Sequence, residues 1–269
     1  MTSAYVHGYS DRESERLQDQ ASTLADLLHH DTCYPPESLV LEAGCGIGAQ
    51  TAILARSSPG ARLVSMDISR QSLLSARRSL RSIKSRADHF LQADIFHLPF
   101  SPESYDHVFL CFVLEHLPDP GAALKSLMGL LKPGGTMTCI EGDHGSCFFH
   151  PRSREALGAW DCLVQVQAGM KGDSLIGRRL YPLMAAAGLK DVAVSPRMVY
   201  SDASRPHFME GFVRRTIIPM VEGVEGQALE AGMMDRASWE QGIRDLHLTA
   251  RPPEGTFCYT FFKGVGIKE

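Results

Sequence analysis

Short continuous apolar runs, each bounded by turn residues, alternate along this chain with stretches whose apolar residues recur every three or four positions. That alternation predicts strands and amphipathic helices in βαβ order. Leu17, Ala21, Leu24 and Leu28 mark one face of a helix from Ser10 to His30. Ser10 with Glu13 makes a capping box at its start, and Pro35/Pro36 end it. Leu39-Val40-Leu41 reads as a buried strand that runs into Glu42 and a glycine turn. The apolar stretch Ile53 to Ala55 reads as the start of a helix. Then come a strand from Arg62 to Asp67, a helix from Gln71 to Ile83 and a short strand from Phe90 to Ala93. An almost wholly apolar strand spans His107 to Val113. Asp119-Pro120 caps a helix to Leu131, with proline at its favoured first position. Lys132 to Gly135 then turns the chain into a strand from Thr136 to Ile140.

The second half is less regular. Helical periodicity covers Arg154 to Gln167 and Leu175 to Ala187, the latter stopped by Gly188. Val192 to Val194 and Phe257 to Val265 read as strands. The stretch 201–251 between them is helical in period and poor in turn chemistry, as expected of a lid. The fold expected is therefore α/β: a doubly wound, mostly parallel seven-stranded sheet with an N-terminal helix and a helical lid insertion. The boundaries expected are a cap helix over 1–30, a Rossmann-like core over 31–150, helices and a sixth strand over 151–200, the lid over 201–251 and the last strand over 252–269.

Composition narrows the functional classes. At 269 residues and 44% apolar the chain can bury a substantial core. No apolar run reaches the roughly 18 residues needed to span a bilayer. The polar start, Ser10 to Glu15, lacks a signal-peptide apolar region, so a cytoplasmic protein without a membrane partner is expected. A net charge of −4 provides no footprint for nucleic acid. The basic clusters Arg77/Arg78/Arg81 and Arg178/Arg179 read as solvated helix faces. Seven cysteines without a C-x-x-C pair argue for reduced thiols rather than disulfides or zinc.

The strongest chemical signal is Glu42-Ala43-Gly44-Cys45-Gly46-Ile47-Gly48 directly after a strand. Glycines let a backbone turn sharply and approach a ligand closely. Gly44, Gly46 and Ala49 also satisfy a dinucleotide fingerprint, with Asp67 at the spacing of a ribose-binding carboxylate. Three features favour another reading. Glu42 precedes the glycines, where an anion suits a cationic aminoacyl group better than a pyrophosphate. Asp94 ends the third strand, where it can accept a bond from an adenine amine. Leu131-Lys132-Pro133-Gly134-Gly135 precedes the fifth strand. Over residues 39 to about 141 this series resembles the class I S-adenosylmethionine-dependent methyltransferases. The segment Tyr5 to Ser10 is similar to one subgroup that acts on small molecules.

That resemblance implies S-adenosyl-L-methionine as cofactor and a small-molecule methyl acceptor as partner, with methyl transfer to nitrogen, oxygen or carbon. It places Glu42, Gly44, Cys45, Gly46, Gly48 and Gln50 at the methionine moiety, with Gln50 near its carboxylate. Asp67 and Ile68 fall at the ribose and adenine, Asp94 and Ile95 at the adenine, and Cys111 and Phe112 at the sulfonium. The rival readings are an NAD(P)-dependent oxidoreductase and a non-catalytic cofactor-binding partner. Ligands of a doubly wound sheet sit beyond the carboxyl ends of its strands. Candidate catalytic groups are therefore His116 after strand four and Asp143 and His144 after strand five, with Glu115, Glu141 and Tyr9 as candidate substrate contacts. No metal is expected, because His144, Cys147 and His150 are too loosely spaced.

Overall fold

The computed structural model describes residues 11–80 and 89–269. The elements are α1 (Asp11–His29), β1 (Leu39–Ala43), α2 (Ala49–Ser57), β2 (Arg62–Asp67), α3 (Arg70–Ser79), β3 (His89–Gln92) and β4 (Tyr105–Cys111). A short 3₁₀ turn (Leu114–His116) leads to α4 (Pro120–Leu130) and β5 (Leu131–His150). Then follow α5 (Arg154–Gly169), a 3₁₀ turn (Ile176–Arg179), α6 (Leu180–Ala186) and β6 (Lys190–Ser201). The stretch 201–251 is helical as its period predicts: α7 (Pro206–Phe208), a π-helix (Met209–Ile217), α8 (Ile218–Glu222), α9 (Glu225–Glu230) and α10 (Arg236–Thr249). The chain then enters β7 (Thr256–Ile267).

The seven strands form one sheet in the order β3-β2-β1-β4-β5-β7-β6. β1 pairs in parallel with β2 and β4, β2 with β3, and β4 with β5. Strand order reverses between β1 and β4, and doubly wound sheets bind ligands outside the strand ends at that point.

Packing divides the chain into two compact units. One comprises the described residues of 25–142 with 175–197 and 261–269; the other comprises those up to Leu24 with 143–174 and 198–260. In the first, Leu41, Val108, Leu110, Met137 and Cys139 are buried with Leu124, Leu127 and Leu180 of the covering helices. Central parallel strands covered on both faces need continuous apolar runs, which is why β4 lacks polar alternation. In the second unit, Phe149, Trp160, Phe212, Phe257 and Tyr259 form an aromatic core with neighbouring ring centroids about 6 Å apart.

Several boundaries depart from the sequence reading. α2 starts at Ala49 rather than Ile53, since Gly48 takes a left-handed conformation and acts as its N-cap. β6 and β7 both extend further than their apolar runs. β5 continues past Ile140 to His150, so Glu141, Asp143 and His144 lie within the strand and not in a loop after it. Ser10 of the capping box, Arg81 and the expected end of the third-position helix lie outside the described residues.

Candidate active site

At the switch point Glu42 is the penultimate residue of β1 and is 2% exposed. Its Oε2 accepts from Thr51 Oγ1 at 2.5 Å and Ser65 Oγ at 2.7 Å. Oε1 is buried and has no hydrogen-bond partner among the described residues. Burial pushes the Glu42 carboxyl up to about 7. The loop after it is left-handed at Gly44 (φ 77°), Gly46 (φ 51°) and Gly48 (φ 80°). A Cβ at Gly44 would stand 2.5 Å from Val113 Cγ2, so the backbone contact there requires glycine. A Cβ at Gly46 would meet no atom within 4 Å, which makes Gly46 the open face of the loop. Cys45 is buried between them, and its N–H donates to Met66 O.

Asp67, at the end of β2, fixes this loop from the side. Its Oδ2 accepts from Gly46 N and its Oδ1 from Ser69 N, both at 2.8 Å. Burial nevertheless raises its pKa. A carboxylate has about four acceptor sites, so acceptor capacity remains. The next residue, Ile68, is 50% exposed, an uncovered apolar surface at a strand end. Asp94 follows β3; its Oδ1 accepts from Phe96 N and its Oδ2 contacts His97 Nδ1 at 3.0 Å. The Phe96 N–H, then His97, lower its pKa. Ile95 is buried in the core.

The turn after β4 is tightly held. Cys111 is buried, and Phe112 takes φ 58°, a strained value for a residue with a Cβ. The Phe112 ring lies 5.3 Å from that of Phe261. Glu141 Oε1 accepts from the N–H groups of Val113 at 3.0 Å and Leu114 at 2.8 Å. It thereby caps the 3₁₀ turn that presses Val113 onto Gly44. Burial, and then the charge of Glu115, raise the Glu141 carboxyl well above the usual range. Glu115 Oε1 stands 3.5 Å from His116 Nε2.

One unit thus holds the glycine loop, Gln50, Asp67, Ile68, Asp94, Ile95, Cys111, Phe112, Glu115, His116 and Glu141. Asp143 and His144 belong to the other. His144 is 5% exposed; its Nδ1 is 3.0 Å from Tyr259 Oη, and its carbonyl accepts from Trp160 Nε1 at 3.0 Å. Asp143 Oδ1 accepts from Gly145 N at 2.9 Å. Tyr9 lies outside the described residues. The sequence reading passed over Thr51, nine positions from its partner Glu42, and Ser65, Val113, Tyr259 and Phe261, whose contacts are long-range. Lys263 also went unremarked, although a lysine inside the apolar run Phe257 to Val265 was a visible signal.

Residues 41–139 match a family model described as a methyltransferase domain. Demethylmenaquinone methyltransferase of Lactococcus lactis is 34% identical over 106 residues, 39% of this chain and 42% of that protein. Trans-aconitate 2-methyltransferase of Methylobacterium radiotolerans is 32% identical over 186 residues, 66% of each chain. Haemonchus contortus phosphoethanolamine N-methyltransferase 2, solved with S-adenosyl-L-methionine, superposes with a TM-score of 0.56 at 16% identity, covering 93% of this chain and 52% of that one. The chain spans well under two thirds of the length of the first curated relatives it matches. It belongs to the class I S-adenosylmethionine-dependent methyltransferases, whose methyl donor is S-adenosylmethionine. The residues present fit that donor: an open glycine face at Gly46, a carboxylate with acceptor capacity left at Asp67, exposed Ile68 and an unpartnered Glu42 oxygen.

Proposed function

We propose that this protein transfers the methyl group of S-adenosylmethionine to a nitrogen, oxygen or carbon nucleophile of a small molecule. The observation that carries this is the Gly44 to Gly48 loop, clamped by Asp67 on one side and Val113 on the other, at the point where strand order reverses. The donor supplies an activated methyl on a sulfonium, so the protein's task is alignment and exclusion of water. Asp67 uses its remaining acceptor positions for the ribose hydroxyls, and Ile68 covers one adenine face. Asp94 accepts from the adenine amine, exchanging its contact with His97, and Ile95 backs the ring. Cys45, Gly46 and Gly48 line the methionine arm, and Glu42 neutralises its ammonium. Cys111 and Phe112 flank the sulfur.

On the acceptor side, Glu115 provides negative charge that suits a cationic acceptor, and Glu141 is a further polar contact. His116 or His144 removes a proton where the nucleophile arrives protonated, with Asp143 supporting His144. Among the described residues no helix is long and apolar enough to cross a membrane. A cytoplasmic site of action without nucleic acid agrees with that and with the net charge of −4. Calorimetry with S-adenosylhomocysteine and with NADH tests the donor assignment. Micromolar binding of S-adenosylhomocysteine without NADH binding is expected; the reverse selects the oxidoreductase reading. Methyl turnover on a panel of amines, acids and phenols tests the reaction, and binding without turnover selects a non-catalytic role.

A further inference from the structure

Lys263 interrupts the largely apolar strand β7 and is 3% exposed, and the donor contacts described above make no use of it. A buried ammonium is costly unless it is paired. Its Nζ donates to Asp31 Oδ1 and to Thr32 Oγ1, both at 2.6 Å. Arg197 of β6 donates to the other Asp31 oxygen at 2.5 Å and faces the His30 ring at 2.8 Å. Two cations therefore share one carboxylate, and the cluster carries a positive charge in excess while His30 is neutral. The fold places that charge over the end of β4. Asp31 and Thr32 come just after His29, whose ring lies 5.8 Å from that of Phe109 in β4. Phe109 and Cys111 share one face of the sheet, because side chains alternate along a strand. Phe261 shares the face of Lys263 for the same reason, and its ring is 5.3 Å from that of Phe112, the residue after Cys111. Lys263 and Cys111 are close enough to influence each other's ionisation. The carboxyl groups that also face Cys111 are Glu42 and Glu141, both pushed toward their neutral forms by burial, and Glu115. All of these residues belong to one unit.

We propose that Lys263, anchored by Asp31 over the end of β4, disfavours the cationic sulfonium of S-adenosylmethionine relative to the neutral thioether of S-adenosylhomocysteine. This rests on the donor reading above, which puts the sulfur beside Cys111 and Phe112. On transfer the acceptor's lone pair bonds the methyl carbon, and the carbon–sulfur electron pair returns to sulfur. The donor's positive charge thus passes to the acceptor. Repulsion from a fixed cation near the sulfur is felt by the bound donor and relieved as that charge leaves. Relief that grows toward the transition state lowers the barrier, whereas a contact equal in both states does not. The ammonium and carboxylate of the methionine arm are common to both ligands, so their interactions cancel in the comparison.

The test is calorimetry of both ligands at about pH 7.5 on the wild type, Lys263→Met, Lys263→Arg and Arg197→Gln. The ligands differ by a methyl group and a charge, so a distorted pocket moves both Kd values together and leaves their ratio alone. Lys263→Met should lower the ratio of the S-adenosylmethionine Kd to the S-adenosylhomocysteine Kd by about three- to tenfold, since a buried charge is little screened. Lys263→Arg keeps the charge and should hold the ratio within about twofold of the wild type. Arg197→Gln removes a cation from the same carboxylate without touching β7 and should move the ratio in the direction of Lys263→Met. A ratio unchanged in Lys263→Met overturns the proposal; where that variant does not fold, an unchanged ratio in Arg197→Gln does so. A ratio that falls as far in Lys263→Arg as in Lys263→Met overturns it as well, by assigning the effect to shape. Failure of both ligands to bind the wild type overturns the donor reading itself, which is a separable result.

Discussion

Replacing Gly44 and Gly46 by alanine, one at a time, separates what holds the loop from what the loop holds. At Gly44 (φ 77°) a Cβ brings two costs. A left-handed backbone costs an alanine about 1–2 kcal/mol. The 2.5 Å approach to Val113 Cγ2 cannot persist, and forcing neighbours aside adds about 1–3 kcal/mol. Gly44→Ala should thus lose about 2–5 kcal/mol, a Tm fall of roughly 5–15 °C for a chain of this size. Trimming Val113 to alanine removes the clashing methyls, so the double variant should be more stable than the sum of the singles by about 1–3 kcal/mol. Gly46→Ala meets no atom within 4 Å and should cost only the backbone term. Its methyl enters the donor's space, so S-adenosylhomocysteine affinity should fall more than about tenfold while Tm falls by only about 2–8 °C. Thermal unfolding and calorimetry on the wild type and these four variants measure all of this. Additivity of Gly44→Ala and Val113→Ala within about 0.5 kcal/mol would refute the clamp. Unchanged donor binding by Gly46→Ala would refute the open face.

Asp67→Ala should weaken donor binding more than about tenfold, because ribose bonds and the Gly46 anchor are lost together; an unchanged Kd by calorimetry removes the ribose assignment. Glu42 gives a pH signature. Its folded pKa, about 7, lies above the ordinary 4.5, so the folded state binds the proton more tightly. Its contribution is fully present below about pH 4.5 and is lost as pH rises toward 7, an effect on the order of 3 kcal/mol. Glu42→Gln should flatten the fall in Tm over that window, and an unaltered pH profile contradicts the burial argument. His144→Ala should lower turnover by roughly 10²–10⁴ with donor affinity intact; equal losses in both would assign His144 to the aromatic core with Tyr259 and Trp160.

Local chemistry made most of the framework legible. The apolar runs at β1, β2 and β4 and the Asp119-Pro120 cap of α4 were recognisable because each depends on neighbours in sequence. The Glu42 to Gly48 loop, Asp67 and Asp94 were found for the same reason: each sits where a strand runs out, and turn residues announce that. β5 was cut short because its second half, Glu141 to His150, mixes charged and small residues that lack a strand pattern. Its strand geometry comes from ladder bonds to other strands, which periodicity does not encode.

The sequence by itself determined the class of fold, the glycine-rich turn after the first strand and the identity of the groups near each strand's end, since turn chemistry and hydrophobic period act within a few residues. Tertiary structure alone decided what those groups do. Glu141 was legible as a carboxylate, but only the approach of β5 to the turn after β4 made it the acceptor for Val113 and Leu114. Gly44 was legible as a turn residue, but only Val113, some seventy positions on, makes a side chain there impossible. Lys263 and Arg197 carry no shared pattern in the chain, yet Asp31 accepts from both. Burial and pairing between distant segments set protonation, strain and reach, and these quantities exist only once the strands have assembled.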